Sequence, residues 1–546
     1  MPQVERPIQE RSGWVPTYDL VDRRDTINLE TDSSPFWSVF ARNQHKPNPP
    51  PEELKPHIQL YWNMRMTDQQ ILDQLHARHI DHSEHGLKLT GFRKIRKELG
   101  FMGTRQQGHS HESIKDAIID LRRSYPNAGG RDMKDLLFFE KDGMKVPRRL
   151  IMDFFAVYEP NLVRRRRKNC LRRKKFWAAG PNDIWAVDQH DKWKKFGLAL
   201  HTGIDPFIGY NHWTRIWWNN NNPRLILSYY LSVVEELGFM PLVSQSDPGT
   251  ENTGLANGHT MLRHLQDPGL HGTLQHRWMR QKKNVMPEIS WSQLRRRWTP
   301  GYENLLDVGV ENGWYDPKIL LEALVFRWVF IPWLQSELDA YRHRINNTAK
   351  RVDRNKILPH GIPAHMLAHP EEYAALDFKV RVSKENIETV RNLYAPQDHP
   401  IFELVPREFD EVATELYVEM GQPLVTRDSC WDIYLQLLSG FRRLDQIHAI
   451  DEGFDSRWRY ALVMAEHDYK NNEMELLPGL QDLHAVDGYL GGVNNGQGMD
   501  PHHHQALRAL LNDIEPQVDP AEEDDGPEEY FAWFSDEEEV AGADEW

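Results

Sequence analysis

The sequence predicts an α/β core on a mixed sheet, preceded by all-α units and followed by an acidic, disordered tail. Three observations carry this. Short β-rich runs cluster mid-chain: NDIWAVDQH (182–190), KKFGLALHTGID (194–205), YNHWTRIWW (210–218) and MPLVSQSD (240–247). The longer apolar segment PRLILSYYLSVVEELG (223–238) interrupts them as a helix, the order expected of a mixed sheet flanked by helices. Finally, residues 513–546 hold fifteen Asp and Glu with no Lys or Arg, a composition that does not fold alone.

Taken in order, residues 1–60 are rich in Pro, with KPNPPPEELKP at 46–56, and are expected to form a flexible lead. Residues 61–108 predict a helix-turn-helix. MTDQQILDQLHARHI (66–80) places Ile71, Leu72 and Leu75 on one stripe behind Thr67 as N-cap. LKLTGFRKIRKELGFMGTR (87–105) turns Leu89, Phe92, Ile95 and Leu99 inward and Lys88, Arg93, Lys94, Arg96 and Lys97 outward. Two short helices, the second basic, fit a DNA-reading unit in which Arg93, Lys94 and Lys97 meet the nucleic acid. Residues 109–162 predict a second such unit of three helices, near 112–124, 130–140 and 147–157. The last begins at Val146-Pro147 and presents Arg148 and Arg149 at its start.

Residues 163–177 form a basic linker. RRRRKNCLRRKK (164–175) packs nine basic residues into twelve, and Arg164, Arg165, Arg166 and Arg167 open the run. Such a run attracts phosphate and has the character of a nuclear import signal. The net charge of −15 hides it, because the tail alone carries −15 and the rest of the chain sums to zero. The core is expected over 178–375, residues 376–512 are left unassigned, and 513–546 is the tail. The tail's EEYFAWFSDEEE (528–539) either solubilises the chain or docks on a basic surface, the 164–175 run included.

Composition excludes several classes. Only Cys170 and Cys430 occur, so neither a disulfide framework nor a thiolate zinc site is expected. The longest apolar stretch, ILLEALVFRWVFIPWL (319–334), contains Glu322, Arg327 and Pro332 and reads as a buried helix, not a membrane span. The opening MPQVERPIQERSG lacks the apolar segment of a secretory signal, so an intracellular protein is expected. No zinc site is expected from HARHIDHSEH (76–85) or HHH (502–504) either.

The chemistry concentrates in acids at element ends. In NDIWAVDQHDKW the apolar run Ile184–Val187 leads straight into Asp188, and a buried unpaired carboxylate there is costly. GFMPLV (238–243) leads likewise into SDPGTENTG (246–254) and Asp247. Two such acids on neighbouring strands suit a hard cation, which takes oxygen ligands and fills its sphere with water and phosphate oxygens. KKNVMPEISWSQLRRRW (282–298) supplies a third acid, Glu288, on a helix face with Trp291, Ser292 and Arg295. The preceding loop QHRWMRQKKN (275–284) carries Arg277, Arg280, Lys282 and Lys283, fit for a polyanion. Asp191, Asp205 and Glu251 are near neighbours that could substitute as ligands but read first as surface residues or supports beside the site, and His201 reads as a packed strand histidine, not a ligand.

The order strand-Asp, 58 residues, strand-Asp, 40 residues, helix-Glu resembles the DDE core of retroviral integrases and cut-and-paste transposases, built on a ribonuclease-H-like fold. More closely, the chain resembles transposon-derived integrase-core proteins of fungal and animal genomes. GPNDIWAVDQHDKWKKFGLALHTGID (180–205), DPGTEN (247–252) and NVMPEISWSQLRR (284–296) carry that likeness. LQSELDAYRHRIN (334–346) and GIPAHML (361–367) extend it, so that it spans roughly 65–375. The resemblance implies that Asp188, Asp247 and Glu288 hold two Mg²⁺ or Mn²⁺ ions for phosphodiester cleavage and strand transfer. It further implies double-stranded DNA as partner, no membrane, a homo-oligomer and a nuclear location. Arg280, Lys282, Lys283 and the loop Asn284 are then expected on the DNA. Gln189-His190 and Met286-Pro287 depart from the family pattern. They leave open a second reading, a host-adopted, catalytically dead relative that binds DNA or regulates.

Overall fold

The computed structural model describes residues 46–159, 178–279, 284–350, 359–448 and 474–480. Arg164, Arg165, Arg166, Arg167 and the rest of the basic run lie outside the described residues, as does the acidic tail 513–546. The described residues divide into two compact units, 46–108 in one and those from 109 onward in the other.

In the first unit the Pro-rich lead ends earlier than its composition predicts. Pro51 opens helix α1 (Pro51–Asn63), where a missing N–H costs nothing. Leu54, Ile58, Tyr61 and Trp62 then fall on one buried face, a helical spacing that the surrounding prolines mask. Helix α2 (Asp68–Arg78) begins as expected at Thr67, whose hydroxyl accepts from Gln70 N–H at 3.3 Å while Thr67 N–H donates to Gln70 Oε1 at 3.0 Å. Helix α3 (Leu89–Glu98) is shorter than expected. Gly100 takes a left-handed φ of +86°, and Phe101 N–H returns to Arg96 C=O at 2.9 Å, which stops the helix. A four-residue turn of helix, α4 (Thr104–Gln107), follows. Arg96 is buried: it pairs with Asp68 at 3.2 Å and lies 5.1 Å from the Trp62 ring.

The second unit begins with α5 (His111–Ser124), α6 (Gly130–Glu140) and α7 (Arg148–Tyr158), close to the expected limits. Arg122 fastens the three together. Its guanidinium donates to Glu159 at 2.8 and 2.5 Å and to Ala128 C=O at 2.7 Å, over the ring of Phe155. These helices are not a separate module. Their Ile118, Leu136 and Phe155 share one apolar cluster with Trp298, Leu324 and Tyr341 of the core, and Arg344 pairs with Glu140 at 3.3 Å in the same region.

The central sheet has five strands: β1 (Ile184–His190), β2 (Ala199–Asp205), β3 (Tyr210–Trp217), β5 (Val243–Ser246) and β6 (His276–Trp278). Their order is β3-β2-β1-β5-β6; the two hairpin pairs are antiparallel, and β1, β5 and β6 run parallel. β6 is a correction, because the sequence predicts a loop throughout 275–284. A separate pair joins β4 (Phe239–Met240) to β7 (Val380–Arg381).

Alternation within β1 sorts the two faces. Trp185 and Val187 face a cluster with α8 (Pro223–Leu237), α9 (Thr253–Gln266) and a later helix that supplies Ile387 and Val390. The other face meets α10 (Val285–Arg297), which carries Trp291 and Leu294. Helix α11 (Thr299–Glu311) follows, and Gly301 there approaches Ser124 so closely that a Cβ would lie 1.9 Å from its carbonyl oxygen. The apolar stretch at 319–334 is, as expected, part of a buried helix, α12 (Leu320–Asn346). Among the described residues no helix is long and apolar enough to cross a membrane.

The unassigned region proves structural over 376–448. After α13 (Pro363–Ala368), helices α14 (Lys384–Tyr394), α15 (Arg407–Glu419) and α16 (Cys430–His448) complete the core. Phe409, Tyr417, Trp431 and Tyr434 join the apolar cluster of α12, where Arg442 pairs with the buried Glu322 at 2.7 Å. Residues 474–480 lie on α9, with Asn257 donating to Glu475 C=O at 2.8 Å and accepting from Leu477 N–H at 3.0 Å.

Trp213 of β3 lies flat on Gly203 of β2, where a Cβ would stand 2.2 Å from the indole. Gly203→Ala must displace that ring and is expected to lower unfolding free energy by about 1–3 kcal/mol. Denaturant unfolding checks this; an unchanged midpoint would contradict the packing.

Candidate active site

The register of β1 and β5 pairs Ala186 with Gln245. Two residues further along each chain, 186 to 188 and 245 to 247, stand Asp188 and Asp247. Adjacent strands lie about 4.8 Å apart, so the two acids emerge side by side at the C-terminal ends of parallel strands. The apolar residues before them set this placement: Trp185 and Val187 are buried in one face of the sheet, and Val243 is buried in β5.

A third acid is brought in by an asparagine clamp. Asn284 caps the start of α10 and is 0% exposed. Its amide donates to Val187 C=O at 2.8 Å, and its oxygen accepts from Gln245 Nε2 at 3.1 Å. The start of α10 is thereby pinned to both acid-bearing strands. Glu288 stands one turn on and Trp291 two turns on, the same face by helical period. Trp291 Nε1 donates to Asp188 Oδ2 at 3.0 Å, and its ring stacks on His190 at 4.9 Å. Glu288 is thus held between two fixed points on β1.

The electrostatics report the same convergence. Burial, then the charge of Asp247 and more weakly that of Glu288, holds the Asp188 carboxyl well above its usual range, against hydrogen bonds from Gln189 N–H and Trp291. Burial likewise raises Asp247. Glu251 is raised by burial first and then by Asp191 and Asp247, so it borders the same acidic patch. His190 is pushed down to about 4 by burial and is neutral at physiological pH.

The residues present fit a hard divalent cation. Asp247 Oδ1 is buried and has no hydrogen-bond partner, an oxygen that a cation would satisfy. The three acids do not form one tight cage: among the described residues, three donor atoms lie within 4.8 Å of one another only at His369, Glu371 and Glu372. An arrangement shared between two ions needs no such closure, since paired ions stand about 3.5–4 Å apart.

Not every residue the sequence singles out lies where it was expected. Asn284 is not on a DNA surface: its side chain is buried and engaged by both strands. Asp205 is fully buried at the far end of β2, where it accepts from Asn182 N–H at 2.7 Å and Phe207 N–H at 2.8 Å, with its carboxyl raised to about 7 by burial. It builds the β2–β3 turn and stands away from Asp188. His201 is a packed strand histidine, accepting from Trp213 Nε1 at 3.0 Å. Lys94, Lys97, Arg148 and Arg149 are exposed, while Arg93 is drawn to Asp68 at 3.1 Å. Arg280, Lys282 and Lys283 lie outside the described residues.

Sequence reasoning passes over three supports. His276 of β6 is fully buried and spans Ser244 at 2.8 Å and Ser246 at 3.0 Å, the serine hydroxyls of β5 just before Asp247. Gln245 is the second. For the third, Trp291, the sequence shows the helix face shared with Glu288 but not the bond that its indole makes to Asp188.

With sheet, helices and acids in place, the comparison with protein families is consistent. Residues 176–370 match the family described as Integrase core domain. The match supports an integrase, ribonuclease-H-like family for this segment, and with it the DDE class of polynucleotidyl transfer and nucleic acid as partner. No curated protein matches the chain.

Asp188 also makes the metal-free fold pH-dependent. Its folded pKa lies above the ordinary value of 3.8, so the folded state binds more protons than the unfolded. In chelator, the contribution of Asp188 to stability is therefore expected to be fully present at acid pH and to be lost as pH rises from about 3.8 through the raised pKa. The difference in denaturant midpoint between wild type and Asp188→Asn, read across pH, should follow that loss. A difference that does not change with pH would refute it.

Proposed function

We propose that the core acts as a DDE-type integrase or transposase on double-stranded DNA, with Asp188, Asp247 and Glu288 as its catalytic and metal-holding residues. One observation supports this above the rest: two strand-end aspartates and a helix glutamate converge, and Asp247 keeps a buried oxygen without a partner. Two Mg²⁺ or Mn²⁺ ions bound there would activate a water or 3′-hydroxyl and stabilise the leaving oxygen in attack on a phosphodiester.

The chain's own residues do the positioning. Asp188 and Asp247 present carboxylates from strands whose separation the sheet fixes. Trp291 donates to Asp188 Oδ2 and fixes the orientation of that carboxyl. Asn284 sets the distance of Glu288 from both strands. The exposed Lys94, Lys97, Arg148 and Arg149 meet DNA phosphates, positioning more than reading sequence. Transposon descent, nuclear residence, a homo-oligomer and docking of the acidic tail on a basic surface belong to the same reading.

A nicking and strand-transfer assay on labelled duplex tests it. Mg²⁺-dependent products are expected from the wild type, with Asp188→Asn and Glu288→Gln each reducing them on the order of 10²–10³-fold. Full DNA retention without products from the wild type would instead identify the host-adopted, catalytically dead relative.

DNA affinity should also be salt-dependent. Replacing Arg148 and Arg149 by Ala is expected to reduce the slope of log affinity against log salt by about 0.9 for each phosphate that is no longer neutralised. An unchanged slope would remove helix α7 from the DNA interface.

A further inference from the structure

We propose that His276 is a positioning residue for Asp247, acting through a directed chain of hydrogen bonds that runs from Ser244 through the imidazole and Ser246 to the Asp247 backbone. The proposal rests on the nuclease reading of the strand-end acids and adds what holds the second of them in place.

The sheet alone does not reach it. In the parallel pairing of β5 and β6, Ser244 stands opposite His276, Gln245 opposite Arg277 and Ser246 opposite Trp278. The last bond of that ladder runs from Met279 N–H to Ser246 C=O at 2.8 Å. Asp247 is the next residue, one past the end of β5, so the ladder stops short of it.

Side chains take over there. Alternation puts Ser244 and Ser246 on one face of β5, and the His276 ring lies between them. Its Nδ1 is 2.8 Å from Ser244 Oγ and its Nε2 is 3.0 Å from Ser246 Oγ. Ser246 Oγ donates in turn to Asp247 C=O at 2.9 Å, and Asn252 Nδ2 donates to the same carbonyl at 3.3 Å.

Counting hydrogens gives the chain one direction. Ser244, Ser246 and His276 are all 0% exposed, so each of their polar hydrogens needs an acceptor within the protein. Burial pushes the imidazole down to about 3, so it is neutral and carries a single N–H. With that hydrogen on Nε2, Ser244 O–H donates to Nδ1, Nε2–H donates to Ser246 Oγ, and Ser246 O–H donates to Asp247 C=O. Every hydrogen is used. With the hydrogen on Nδ1, Ser244 Oγ must accept it, and the Ser244 hydroxyl hydrogen has no other acceptor among the described residues. Ser246 would then turn to Nε2 and release the Asp247 carbonyl. A buried donor without a partner is costly, so the first arrangement wins.

The chain ends on the carbonyl that turns with the Cα bearing the Asp247 carboxylate. Two donors hold that carbonyl, while Oδ1 of the side chain is buried without a partner. Contacts one step behind a ligating group are the kind that orient it and set metal affinity.

The test uses the full chain. In metal-free protein labelled with ¹⁵N-histidine, nuclear magnetic resonance reads the tautomer of His276, its signal identified by loss in His276→Phe or His276→Gln. Hydrogen on Nε2 is expected; hydrogen on Nδ1 overturns the directed chain. Mn²⁺ affinity is then measured by electron paramagnetic resonance. Ser246→Ala removes one oxygen and cuts the last link, and it should weaken Mn²⁺ at least about tenfold, as should His276→Phe. Ser244→Ala is equally buried on the same strand but spares the bonds to Ser246 and Asp247, and it should weaken Mn²⁺ by less. Unchanged affinity in Ser246→Ala, or equal losses in the two serine variants, overturns the proposal, and the serine variants decide if His276→Phe fails to fold. Each of these failures leaves the nuclease reading standing, whereas a wild type that binds no Mn²⁺ removes both.

Discussion

Three carboxylates that repel one another set the terms for the rest of this fold. Two unit charges a strand spacing apart, about 4.8 Å, repel by about 3 kcal/mol at an effective dielectric near 20. Burial first, and this repulsion after it, hold the Asp188 carboxyl well above its usual range. A chain optimised only for stability would place an amide or an apolar residue there. The arrangement persists because the elements that carry the acids are bonded to one another, so the acids cannot move apart without breaking those bonds.

Those bonds are specific. The Asn284 side chain bridges β1 and β5 and leaves α10 no freedom to swing Glu288 outward. Trp291 gives the most buried acid its one neutral donor from the helix. Behind Asp247, His276 takes both serine hydroxyls of β5 and ties that short strand to the sheet edge. Burial lowers His276 to about 3, so it stays neutral and adds no charge beneath the acids. Polar groups thus set the positions, while the flanking apolar clusters supply the stability.

Much of this is legible in the sequence, and the residues show why. An apolar run ending in Asp is readable at Ile184–Asp188, since alternation and burial act within a few residues. The capped helix at Thr67 is readable for the same reason. Helix α1 is not: composition around Pro49 and Pro50 outweighs the buried period of Leu54, Ile58 and Tyr61. Asn284 is visible as a motif member, but its burial depends on two strands far away in sequence. Asp205 is misplaced for a similar reason. Closeness along the chain says nothing of which end of a strand a residue occupies, and antiparallel pairing sends Asp205 away from Asp188.

Helices α5 to α7 raise the remaining question of how a DNA-reading element would be coupled to the core. A module on a linker can search independently; one packed into the core cannot. Gly301 admits Ser124 at a distance no side chain would tolerate, and Arg344 joins Glu140 within the shared apolar cluster. Arg122 then locks the end of α7 to α5 through Glu159. Arg148 and Arg149 are therefore carried on a surface rigid with the sheet that presents Asp188 and Asp247. Residues 46–108 form a unit of their own, with a separate apolar core around Ile58, Leu75 and Phe92. Under the nuclease reading, α7 would fix the phosphodiester relative to the acids, and the first unit would be the part free to differ in what it recognises.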